Sequence, residues 1–256
     1  MSPSNIQSKS ATSDTLTDYL NYLKLGFISD NHEALAKEAA EAQWGHLDYL
    51  ASLMEGEALE RHQRSIQRRI RLARFPVIKT LEPFQWTWPS KINRLQVQQL
   101  FRLKFIEEKS NVIFLGGVGL GKTHLATALG YTACQKGHSV LFATAVDAIN
   151  TLVAAQNTGQ LKQAFNRYIK PSVLILDELG YLPIDKTGAD RLFQIISQRY
   201  ERNSLIITSN RIFNKWPEIF NNDSTLTSAL LDRLLHHAET VLIEGKSYRM
   251  KDQIET

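Results

Sequence analysis

The run Gly116-Gly117-Val118-Gly119-Leu120-Gly121-Lys122-Thr123 places four glycines around and ahead of a Lys-Thr pair. It matches G-x-x-x-x-G-K-[ST], a loop that cradles phosphates. Glycines let successive backbone N–H groups turn inward as an anion-binding nest, and the positive end of a following helix adds to that field. Lys122 is placed to reach the β and γ phosphates of ATP, and the Thr123 hydroxyl to ligate Mg²⁺. His124 completes the stretch expected to bind the nucleotide.

Asp177-Glu178 follows the apolar run Val173-Leu174-Ile175-Leu176. A buried strand that ends in two carboxylates presents them where open α/β sheets put their chemistry. Asp177 is expected to hold Mg²⁺ through its water shell, and Glu178 to polarise the attacking water as a general base. Asn210 ends another apolar run, Leu205 to Thr208, on a strand expected to lie between those carrying the two phosphate-site motifs. It reads either as a group that positions the lytic water or as a turn cap. Arg233, in Leu230-Leu231-Asp232-Arg233-Leu234, reads equally as an arginine finger for a neighbouring subunit or as a local ion pair with Asp232. Arg249 is a further candidate for sensing nucleotide.

The elements that must position these groups follow from periodicity. Val112–Leu115, Val140–Ala143, Val173–Leu176, Leu205–Thr208 and Val241–Ile243 are apolar runs of strand length, as strands buried on both faces require. Amphipathic segments at 122–136, 146–157, 160–169, 187–202 and 224–237 separate them. Five strands with helical crossovers predict a three-layer α/β sandwich on a five-stranded, mainly parallel sheet. Ahead of it, residues 14–75 read as a small all-α domain after a flexible tail, 1–13. Asp30 is expected to cap a helix running to about Gln43, and one long helix to span His46 to Arg74. Pro76 ends that helix by lacking an N–H and disfavouring helix at Phe75. Residues 76–92 read as an extended linker lying on the ATPase domain, 93–256. Its aromatics, Phe84, Trp86 and Trp88, read first as packing.

The net charge of +4 conceals a segregated pattern. Residues 1–60 carry three Lys against ten Asp and Glu, whereas 61–81 hold seven basic residues and no acid. Arg61, Arg64, Arg68 and Arg71 fall on one face of a helix, with Ile66, Ile70 and Ala73 on roughly the opposite one. Glu57–Arg61 and Glu60–Arg64 have ion-pair spacing, while Arg68, Arg69, Arg71 and Arg74 have no such partner in sequence. This stripe is expected to contact the backbone of duplex DNA without reading its bases. A lone cysteine, Cys134, excludes an internal disulfide and fits a reducing compartment. No apolar run reaches the roughly 20 residues of a membrane span, so a cytoplasmic location is expected.

Beyond these motifs, several strings resemble the IstB-like family, ATP-binding transposition helpers of bacterial insertion sequences related to DnaC-type helicase loaders in the AAA+ initiator clade. They are Phe75-Pro76-Val77-Ile78-Lys79-Thr80-Leu81, Asp177-Glu178-Leu179-Gly180-Tyr181-Leu182-Pro183, Arg199-Tyr200-Glu201, Thr208-Ser209-Asn210, Leu231-Asp232-Arg233-Leu234 and Gly245-Lys246-Ser247-Tyr248-Arg249. The resemblance covers nearly everything from Leu16 to Arg249. It implies an ATPase that oligomerises, as a ring or helical assembly, on duplex DNA and recruits or activates a transposase. It also implies that Asn210 is a sensor and that Arg233 belongs to the arginine-finger box. A helicase loader on the same fold is the alternative, and the Phe75–Leu81 string favours the transposition branch.

Overall fold

The computed structural model describes residues 15–248, so the tail at 1–13 and Arg249 lie outside the described residues. The chain divides into two compact units, Met1–Gln67 and Arg68–Thr256. The division expected after Phe75 falls earlier, within a helix. The last turns of that helix and the segment 76–92 therefore belong to the second unit.

The first unit holds α1 (15–22), α2 (Gly26–Glu41) and most of α3 (His46–Ala73). Leu20, Ile28 and Leu53 form its small core, with Leu25, Phe27, Leu35 and Tyr49 packed around them. The helix expected to start at Asp30 starts instead at Gly26. Its first N–H groups need an acceptor, and Leu25 at the cap position offers no side-chain bond. Glu57, on α3 and only 2% exposed, supplies it, accepting from Phe27 N at 2.9 Å and Ile28 N at 3.4 Å. An acceptor 29 or 30 residues away carries no local signal.

The second unit is built on a five-stranded sheet in the order β2-β3-β4-β1-β5, every described pairing being parallel. The strands are β1 (Asn111–Gly116), β2 (Val140–Thr144), β3 (Val173–Leu179), β4 (Ser204–Ser209) and β5 (Ala238–Ile243). Short helices α4 (Arg94–Leu100) and α5 (Lys104–Glu107) lead in. The crossovers are α6 (Lys122–Gln135), α7 (Ala145–Asn157), α8 (Leu161–Ile169), α9 (Lys186–Arg199), α10 (Trp216–Ile219) and α11 (Ser224–Leu235). Alternate strand residues, among them Ile113, Leu115, Leu174, Leu176 and Ile207, pack under α7, α8, α9 and α11. Helix α6 packs against β1, β2, β3 and β4. The expected three layers are therefore present.

Two features outside the strands hold the sheet domain together. Arg199, fully buried, donates to the carbonyls of Tyr168, Ile169, Pro171, Ser172 and Ser204, which clamps the β3 approach to the start of β4. Burial pushes its pKa down to about 9. The segment 76–92 lies on this domain: Lys91 pairs antiparallel with Glu244, and Thr80 O accepts from His124 Nε2 at 2.7 Å. No helix among the described residues is long and apolar enough to cross a membrane.

Candidate nucleotide site

A cavity of about 750 Å³ opens at the C-terminal edge of the sheet. Its floor is the loop between β1 and α6, with Val118, Gly119, Leu120, Gly121, Lys122, Thr123 and His124 all lining it. Gly121 caps α6 at φ +85° and Gly119 sits at φ +76°, both left-handed conformations that L side chains rarely adopt. Either position would also clash if it bore a Cβ, Gly121 with Phe84 and Gly119 with Ser247. The sequence beyond β5 is held against this loop by Tyr248 N donating to Gly119 O at 2.9 Å. Lys122 Nζ arches over the loop and donates to Gly116 O at 2.8 Å and Gly117 O at 2.6 Å, which holds the ammonium at the mouth of the nest.

The second wall comes from β3 and β4. Asp177 is 4% exposed, with the Thr123 hydroxyl 3.0 and 3.1 Å from its two oxygens. A buried carboxylate beside a hydroxyl is a set of hard oxygen donors, which suits Mg²⁺ rather than a softer metal. At Glu178 the β3–β4 register breaks between Leu176 and Leu179, and Glu178 adopts φ +59°. A bulge re-aims a side chain, and Glu178 is exposed into the cavity. Left-handed backbone at a non-glycine residue is strained and persists where surroundings over-determine it.

Thr208 provides that determination. Its hydroxyl donates to Asp177 Oδ1 and accepts from Glu178 N at 2.9 Å, so one side chain on β4 holds the Asp177 carboxylate and the Glu178 backbone together. In sequence Thr208 reads as a strand residue; its place in Thr208-Ser209-Asn210 at a strand end is the local signal for this role. Asn210 lines the same cavity, and its Oδ1 is buried with no hydrogen-bond partner. A buried orphan acceptor is costly, and its position at the rim fits a ligand or water that would pair with it. As expected, β4 lies between β3 and β1.

The remaining wall is apolar, from Pro76, Val77, Pro83, Phe84 and Trp88 together with Tyr248. Phe84 packs edge-on against Trp86 and against His124, and Trp88 donates to Lys246 O and meets Tyr248 edge-on. The aromatics of 76–92 thus pack as expected, and two of them also face the cavity. Burial, with Lys79 adding to it, holds the His124 pKa below its ordinary value despite its bond to Thr80.

Other expected residues lie elsewhere. Arg233 does not line the cavity: on α11 it donates to Ala229 O at 2.9 Å and its guanidinium stacks 4.9 Å over Phe193, rather than pairing with Asp232. Of the six arginines of the expected DNA stripe, two form ion pairs within the first unit with side chains about half exposed, and one is turned inward in the second. Arg61 bonds Glu57 at 2.9 Å and the carbonyls of Leu23 and Lys24, and Arg64 reaches Glu57 and Glu60. Arg69 is turned inward, with Nη1 buried, where its charge acts on the Cys134 thiol. Arg68, Arg71 and Arg74 are exposed.

A parallel sheet in this strand order, with a phosphate loop leaving its central region and an acidic pair on the strand two places away, defines a P-loop protein of the AAA+ class. The chain belongs to the IstB-like ATP binding protein family, whose model matches residues 18–256. It is 38% identical over 240 residues, 94% of this chain and 95% of the other, to the insertion sequence IS5376 putative ATP-binding protein of Geobacillus stearothermophilus. It is 42% identical over 234 residues, 91% of this chain and 88% of the other, to the insertion sequence IS21 putative ATP-binding protein of Pseudomonas aeruginosa. Among solved structures, AMPPCP-bound DnaA from Aquifex aeolicus superposes with a TM-score of 0.53 at 26% identity. That match spans 69% of this chain and 54% of the longer DnaA chain.

Proposed function

We propose that the chain binds and hydrolyses ATP in this cavity, and that the nucleotide governs its assembly on duplex DNA as the helper of a transposase. The observation that carries the hydrolytic reading is that Thr123, Glu178, Thr208 and Asn210 line one cavity, while Thr123 and Thr208 bond the Asp177 carboxylate behind it and Thr208 also bonds the Glu178 backbone. The names of its relatives, which are ATP-binding proteins of insertion sequences, support both halves.

The loop N–H groups and Lys122 hold the triphosphate, and the apolar wall of Val77, Phe84 and Trp88 receives the base. Thr123 and Asp177 would hold Mg²⁺, which when bound would supply positive charge against the phosphate oxygens. Glu178 takes the proton of the water that attacks the γ phosphorus, and Asn210 Oδ1 accepts that water's second hydrogen. Products are ADP and phosphate. Arg233, outside its own cavity, serves the site of the next subunit in a ring or helical oligomer. Arg68, Arg71 and Arg74 contact DNA phosphates; Arg61, Arg64 and Arg69 serve the fold instead.

Turnover measured with and without duplex DNA across a salt series, with mass measured in parallel, tests this reading. DNA is expected to raise turnover and ATP to raise the assembled mass. Replacing Arg68, Arg71 and Arg74 with Ala is expected to lower the salt slope of DNA binding by about 2 to 3. If DNA changes neither turnover nor mass, the helper role falls and the ATPase alone remains.

A further inference from the structure

At the opposite edge of the sheet, where the strands begin, four side chains unconnected with the nucleotide converge. Tyr200 and Glu201 follow α9, and His236 and His237 sit between α11 and β5. Glu201 Oε1 lies 3.9 Å from His236 Nδ1 and 3.7 Å from His237 Nε2. The Tyr200 hydroxyl is 2.7 Å from His236 Nδ1. Glu201, His236 and His237 are the one described group of three or more such side chains whose ligand atoms lie within 4.8 Å of one another.

We propose that Glu201, His236 and His237 bind a borderline divalent transition-metal ion, Zn²⁺ above all, with Tyr200 or water at the fourth position. Two imidazoles and a carboxylate select zinc-like ions over Mg²⁺ or Ca²⁺. Tetrahedral zinc with bonds of about 2.0–2.1 Å separates its ligand atoms by roughly 3.3–3.4 Å. The two spacings from Glu201, 3.9 and 3.7 Å, exceed this by a few tenths of an ångström, and the imidazole nitrogens lie within 4.8 Å of each other. Side chains that are about half exposed close such a gap by small rotations.

The backbones that carry these ligands are already held in place. Asn111, buried at the start of β1, donates from its amide to Leu234 O at 3.0 Å and accepts from Leu205 N at 3.0 Å. Its own N–H donates to His237 O at 2.7 Å. Arg199 fixes the other segment through Ser204 O, and Arg202 N and Asn203 N bond back to Arg199 O. Ligands on rigid supports lose little on binding an ion. A bound ion would pin the end of α9 to the end of α11, the helix that carries Arg233.

The test is calorimetric titration of ZnCl₂ into the full-length, tag-free, chelator-stripped protein in excess Mg²⁺, with thermal unfolding followed in parallel. One equivalent should bind and raise the unfolding midpoint. H237A and E201Q should each weaken binding at least tenfold, whereas H62A, an exposed histidine of the first unit, should bind like the parent. All three variants should melt like the parent in chelator, because only exposed side chains change. Absence of stoichiometric binding overturns the proposal. So does binding that survives both H237A and E201Q, or that H62A abolishes equally.

Discussion

Two buried carboxylates, one in each unit, are treated in opposite ways. Glu57, 2% exposed, is fully engaged by the N–H groups of Phe27 and Ile28 and by the guanidinium groups of Arg61 and Arg64. Asp177, 4% exposed, meets the hydroxyls of Thr123 and Thr208, both of which line the cavity. Both are acids shielded from water, yet the first ties together helices of its own unit, whereas the second bonds two hydroxyls that line the cavity. Burial alone therefore does not mark a site; what distinguishes Asp177 is that its partners Thr123 and Thr208 line a cavity shared with Glu178 and the unpaired Asn210 Oδ1.

The largest expected effect comes from the cavity. Glu178→Gln removes the proton acceptor and should lower turnover by about 10³-fold while leaving ATP binding intact, measured as single-turnover hydrolysis beside nucleotide affinity. Unchanged turnover would leave the cavity a binding site alone and erase the distinction between the carboxylates. In the other unit, Glu57→Ala strands two arginines and the first N–H groups of α2. It should cost about 3 kcal/mol of stability in that unit, read from urea unfolding, with ATP turnover in the absence of DNA preserved.

Thr208→Val keeps shape but removes the hydroxyl that fixes Asp177 and Glu178 together. Turnover should fall by roughly 10- to 100-fold, and Thr208→Ser should restore most of it. Equal losses in Val and Ser would make Thr208 a packing residue.

The smallest effect is acid sensitivity. Burial raises the Glu57 pKa, but the bonds from Arg61, Ile28 and Phe27 more than offset it, leaving it below its ordinary 4.5. A carboxylate depressed in the folded state contributes stability that is present above the ordinary value and is lost as pH falls through the folded value. The stability of the first unit should therefore decline below about pH 4.5, and Glu57→Gln should flatten that decline in urea midpoints measured against pH.

Much of this was legible in sequence because it is local. The phosphate loop is one contiguous string whose glycines, lysine and threonine act within a single turn. The five strands are apolar runs of fixed length, and the position of β4 between β3 and β1 was expected. Arg61 and Arg64 were less legible: their ion-pair spacing to Glu57 and Glu60 was visible, but their use in the fold was not. The start of α2 at Gly26 was missed because its cap comes from Glu57, across the fold. Thr208 passed as a strand residue because strand position is readable along the chain, whereas cross-strand hydrogen bonding is not.

The sequence by itself determined the class of fold, the loop that takes phosphate and the acids on β3, since each is written in consecutive residues obeying local rules of backbone and periodicity. Only the tertiary structure decided which arginines bond within the fold, which hydroxyl aligns Asp177 with Glu178, and that Arg233 lies outside its own cavity. Those outcomes depend on residues 30 to 38 positions apart meeting across packed surfaces, as Thr208 meets Glu178 and Arg61 meets Leu23. No local pattern encodes such meetings; the packing of helices on the sheet does.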